Sequence, residues 1–207
     1  MSEEEQKALV ANPEQEAQAD SEPSEEQKEK STELTVVSIL PDGLQEVTFE
    51  NDKMQYVGTA KSADEGAATE PVTIENFVKH GSGVEVNKVE GTTYSGQFKD
   101  GKHHGKGILS FDGSGDEYVG SFDDGNIHGE GKFTFSNGDI YTGEFVNNEM
   151  KSGVLEKKNG DEYAGDFVND LYDGYSLYKY ANGDVYCGDF YKGKRHGDGV
   201  LKIAATK

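Results

Sequence analysis

The 207-residue sequence predicts an all-β protein: one elongated, twisted antiparallel sheet of tandem β-hairpins, preceded by a disordered acidic arm. Three observations carry that expectation. The string Tyr-x-Gly-x-Phe recurs five times at a spacing of about 23 residues. Residues flanking Asn-Gly and Asp-Gly pairs alternate with period two, the side-chain period of a strand. The chain also has 27 glycines, 11 tyrosines and 10 phenylalanines but only 4 prolines, and no aromatic residue precedes Phe49, so a thin core of rings on short strands is expected.

Residues 1–33 form the first segment. The first thirty residues hold ten acidic side chains against three lysines, too polar to offset the entropy of ordering. This arm is expected to solubilise the chain or to dock on a basic partner.

Residues 34–91 are read as two degenerate repeats. Gln45-Glu-Val-Thr-Phe49-Glu-Asn aligns with Glu70-Pro-Val-Thr-Ile74-Glu-Asn. In that register Tyr56 and Gly58 fall on His80-Gly81-Ser82-Gly83, and both units lack the tyrosine and central glycine of the later ones.

Residues 92–207 hold five clear repeats. Their strings are Tyr94-x-Gly96-x-Phe98, Tyr118-x-Gly120-x-Phe122, Tyr141-x-Gly143-x-Phe145, Tyr163-x-Gly165-x-Phe167 and Tyr186-x-Gly188-x-Phe190. Eleven residues after each tyrosine stands Gly105, Gly129, Ser152, Gly174 or Gly197. In a strand, Tyr141, Gly143 and Phe145 share one face. The central glycine is expected to leave a gap that a ring from a neighbouring strand fills. Asn137-Gly138, with Asp112-Gly113, Asn159-Gly160 and Asn182-Gly183, is expected to make the tight hairpin turn. The other connection in each unit is read as longer and polar.

Composition narrows function. A net charge of −20 excludes nucleic acid as a direct partner and disfavours an anionic membrane surface, leaving proteins with basic surfaces. No run approaches the roughly 18 to 20 apolar residues of a membrane span, and the acidic N-terminus does not read as a secretory signal. The single Cys187 excludes an intramolecular disulfide, so a reducing, cytoplasmic setting is expected.

The chemical candidates yield to the repeat. His80, His104, His128 and His196 recur once per unit, which places neighbours roughly 10 Å apart, whereas ligands of one zinc lie about 2.1 Å from it. Asp112-Gly-Ser114-Gly-Asp116 resembles the start of a calcium loop, but its sixth position is Glu117 where glycine is needed. No catalytic residue, cofactor or metal site is expected. The tyrosine–phenylalanine face remains the candidate groove for an extended peptide or an amphipathic helix.

The segment YSGQFKDGKHHGKG, residues 94–107, resembles the MORN repeat, written Y-x-G-x-[WF]-x-x-G-x-x-H-G-x-G. Phenylalanine stands wherever that family usually has tryptophan. The resemblance implies a non-catalytic scaffold or assembly subunit, since such arrays occur in radial-spoke heads and other axonemal assemblies. It also implies rivals: a membrane or phospholipid tether, or a regulatory subunit of an enzyme. The array is expected to stand alone with no catalytic domain after Lys207, which favours the structural subunit, in the cytoskeleton of a cilium or flagellum. The final strand, Gly199–Ala204, is expected to offer an apolar edge for a homodimer.

Overall fold

The computed structural model describes residues 32–40, 43–63 and 72–205. The acidic arm lies outside the described residues up to Ser31, and Glu33 already belongs to the first strand. The described strands are β1 (Glu33–Ile39), β2 (Gln45–Glu50), β3 (Met54–Ser62), β4 (Phe77–Asn87), β5 (Thr92–Lys99), β6 (Lys102–Phe111) and β7 (Asp116–Asp123). They continue as β8 (Asn126–Thr134), β9 (Ile140–Val146), β10 (Glu149–Glu156), β11 (Glu162–Val168), β12 (Leu171–Lys179), β13 (Val185–Tyr191) and β14 (Lys194–Lys202). All pair antiparallel in chain order within one open sheet, as the alternating pattern predicts.

The rings lie on one face and bury each other. Tyr94, Tyr118, Tyr141 and Tyr163 are at most 1% exposed, and the five string phenylalanines at most 6%. Each tyrosine meets the phenylalanine four residues on edge-to-face, as in Tyr118–Phe122 at 5.2 Å between centroids. Where a further repeat follows, it also meets that repeat's phenylalanine, as in Tyr94–Phe122 at 4.9 Å and Tyr118–Phe145 at 5.1 Å. Such pairs contribute roughly 0.5–1.5 kcal/mol each beyond the area they bury. The result is a zipper of rings that ties each repeat to the next.

The glycine gap is filled differently from the expectation. The tyrosine of the same strand folds over it, and its hydroxyl donates to the carbonyl three residues on: Tyr94 to Gln97 at 2.8 Å, Tyr141 to Glu144 at 2.9 Å, Tyr163 to Asp166 at 2.7 Å. Gly96 faces Gly107 on the next strand, and a Cβ on Gly107 would come within 2.6 Å of the Tyr94 ring. The glycines are the bed on which that ring lies.

The turns are also reversed. The two-residue connections are Asp100-Gly101, Asp124-Gly125, Asn147-Asn148, Asn169-Asp170 and Lys192-Gly193, between the two strands of a unit, and both residues of each have positive φ. That is the backbone of a type I′ hairpin, whose twist matches the strands. At Asn137-Gly138 only the glycine has positive φ (94°), and its N–H donates to the Phe135 carbonyl at 2.8 Å. The Asn-Gly sites are therefore longer loops closed by a left-handed glycine.

The alignment of Gln45 with Glu70 is not the structural one. Phe49 is 7% exposed in β2, whereas Ile74 is 52% exposed in a turn, and Glu70 and Pro71 lie outside the described residues. Tyr56 and Gly58 are themselves the tyrosine and central glycine of a unit. Tyr56 is fully buried, its hydroxyl donates to Thr59 O at 2.6 Å, and Gly58 faces Gly83. The segment between β3 and β4 hid this unit by lengthening its first connection, and Ala60 stands where the later units have phenylalanine. Ser152 is likewise not the counterpart of Gly129. The glycine facing Gly143 is Gly153, so β10 is one residue short, which explains the 22-residue step from Tyr141 to Tyr163.

Candidate functional site

Each unit carries a second inward position that the repeat string does not mark. Opposite each string phenylalanine stands His103, Ile127, Met150, Tyr172 or Arg195, and Lys79 stands opposite Ala60. His103 and Tyr172 stack on the tyrosine rings at 3.7 and 3.9 Å between centroids, and the Arg195 guanidinium sits 5.3 Å over Tyr186. The position varies freely in chemistry, so no motif signals it; its fixed distance of nine residues from the tyrosine in the five clear repeats is the only trace in sequence.

At the N-terminal junction this interior is charged. Glu85, 8% exposed, takes the place that Leu109 and Leu155 hold beside the tyrosines of later units. The Lys79 ammonium is bonded to its carboxylate and lies 5.3 Å over the Phe98 ring, and His103 Nε2 is 3.2 Å from its other oxygen. Burial pushes the Lys79 pKa down to about 8; burial, helped by the Lys79 charge, pushes that of His103 down to about 4.

The tyrosines and phenylalanines proposed as a groove are interior packing. The face that opens to solvent is the opposite one. Its central row runs straight across the sheet through Val57, Val84, Ser95, Ile108, Val119, Lys132, Thr142, Val154, Ala164, Leu177, Cys187 and Val200. Val57, Ile108, Val119 and Val200 are between 41% and 70% exposed. A shallow groove of about 590 Å³ lies here, walled by Lys106, Ile108, Val119, Glu130, Lys132 and Thr142 over the backs of Gly107, Gly120 and Gly131. The glycines thus do double duty: they seat the tyrosines on one side and leave the sheet surface bare on the other.

Beside the apolar row runs an acidic one, through Glu130, Glu144, Asp166 and Asp189. Glu130 and Glu144 face each other directly, an arrangement that costs the sheet free energy. Among the described residues neither carboxylate makes an ion pair. Cys187 lies on this face, where its thiol donates to the Tyr175 hydroxyl at 3.3 Å. The histidines are spread along the sheet: His80 is 3.6 Å from Asp100 and His104 3.3 Å from Asp123, while His196 sits on β14 beside Tyr191.

A one-layer sheet of tandem hairpins with a buried aromatic face and an exposed opposite face defines a β-repeat protein. The family model of the MORN repeat matches residues 94–115, 118–140, 141–162, 163–185 and 186–204, more than half of the chain. The chain belongs to the MORN-repeat family, a non-catalytic repeat module. A comparison with curated proteins matches none of them.

Proposed function

We propose that this chain is a scaffold that holds other proteins on its bare face. The observation that carries the reading is the set of exposed Val and Ile side chains in the central row, beside carboxylates that form no ion pair among the described residues. Exposed β-branched side chains in register across many strands favour an extended or helical segment laid along them. Glu130 and Glu144 form no ion pair among the described residues although Lys106 and Lys132 wall the same groove, and their carboxylates favour a segment bearing Lys and Arg. The setting we infer is a cytoplasmic, cytoskeletal assembly, the axoneme of a cilium or flagellum, of which a radial spoke is an example. That inference draws on the family resemblance and on the acidic charge, which disfavours lipid.

The test is co-purification with the tagged chain from ciliated cells, comparing the parent with an Ile108→Asp/Val119→Asp variant. Both residues point away from the rings, so the fold should be retained. Axonemal proteins captured by the parent and lost by the variant support the reading. Retention of the same proteins by the variant would move the site off this face. Salt-sensitive flotation of the chain with phosphoinositide vesicles would replace the scaffold by a membrane tether.

A further inference from the structure

We propose that the two edges left unpaired among the described strands form one joint, through which copies of this chain add head to tail, β14 of one against β1 of the next. The joint is a surface separate from the bare face. With fourteen antiparallel strands, β14 runs opposite to β1, so β1 of a second copy continues the meander without a break.

The residue rows then extend in register. The tyrosine row starts at Leu34, opposite Phe49, and ends at Leu201, opposite Tyr186. Carrying it across the joint sets Leu201 against Leu34 of the next copy. The neighbouring rows follow: Lys202 meets Glu33, Val200 meets Thr35, and Gly199 meets Val36. The last of these has a precedent inside the chain, where Val47 faces Gly58 across β2 and β3.

Charge favours the same register. Within its own chain Glu33 faces Glu50, whose carboxylate already receives Lys88 at 3.1 Å. Lys202 faces Val185. Among the described residues neither Glu33 nor Lys202 has an ion partner, and both are exposed. Pairing them across the joint removes one like-charge contact from its isolation and satisfies both.

The edges are apolar as well, with Val37 67%, Ile39 55%, Val200 70% and Ile203 64% exposed. Tyr186, the last string tyrosine, has no phenylalanine beyond it and is 7% exposed, against 0–1% for the other four. The rival, a symmetric β14–β14 dimer centred on Asp198, would set Lys194 against Lys202 twice and Asp198 against itself. A heterologous contact that does not close produces open chains of subunits.

Sedimentation velocity on the full chain over a concentration series tests the joint. A ladder of oligomers growing with concentration is expected. Glu33→Lys and Lys202→Glu should each weaken association about tenfold, turning attraction into repulsion. An equimolar mixture of the two variants should restore it, because every joint in an alternating chain is again Lys against Glu. A monomer throughout the series, a species that stops at a dimer, or a mixture that associates no better than either variant would overturn the proposal.

Discussion

The Tyr118 and Tyr141 units and the β3–β6 junction share one backbone frame and fill it with opposite chemistry. In the former, Ile127, Met150, Phe133 and Leu155 line the tyrosine rings. At the junction, Lys79, Glu85 and His103 occupy the matching places. The Tyr56 and Tyr94 rings lie as flat on their glycines as the rest, both at most 1% exposed. The frame is thus set by the tyrosine, its hydroxyl bond and the glycine pair, and what packs beside them is free to vary. An aromatic or aliphatic filling contributes burial; a charged one offsets its own desolvation only while every member is paired.

The largest effect expected on the shared frame is alkaline. Burial raises the pKa of Tyr94, Tyr118 and Tyr141 to about 12. Their folded values exceed the unfolded value of about 10, so the stability they contribute is complete below pH 10 and is lost as pH rises towards 12. Because three such groups are shifted in the same direction, the fall with pH is steeper than one tyrosine alone would give, though screened where the hydroxyls are only part-buried. Urea melts from pH 8 to 12 should show a plateau and then a steep fall in both regions together.

Next come two single substitutions that separate the regions. Phe145→Ala removes a 3% exposed ring that touches Tyr118 and Tyr141. It should cost about 3–5 kcal/mol, and hydrogen exchange should show the loss spreading to both adjacent units. Glu85→Gln should cost about 3 kcal/mol for a different reason, since it leaves the Lys79 ammonium buried without its anion. Its exchange signature should be confined to β3–β6.

The smallest effect lies outside both. Lys192 has φ of 49° in a turn whose counterparts are Asn or Asp. Lys192→Asn should stabilise the last hairpin by roughly 1 kcal/mol, read as a rise in the midpoint of the urea melt.

The comparison also explains what sequence could show. The strands, their order and the buried tyrosines and phenylalanines follow from the period-two spacing of one string, because the same geometry recurs each time. The N-terminal unit was obscured by length, since the connection after Tyr56-x-Gly58 separates it from His80-Gly81-Ser82-Gly83. The turns are not decided by sequence, because Asn-Gly suits both a type I′ turn and a loop closed by a left-handed glycine, and only the pairing register separates them. The bare face is not legible in sequence, because its central row mixes Val, Ile, Ser, Lys and Thr and forms a line only once the strands lie side by side.

The claim that one frame accepts either filling is tested most directly by transplanting the aliphatic filling into the charged junction. In the triple variant Lys79→Met, Glu85→Leu, His103→Ile, each new residue is one that a later unit already holds at the matching place: Met150, Leu155 and Ile127. Equilibrium urea unfolding should show one cooperative transition at a stability equal to the parent's or about 1–4 kcal/mol above it. A variant that is less stable by several kcal/mol, or that unfolds in two steps, would contradict the account.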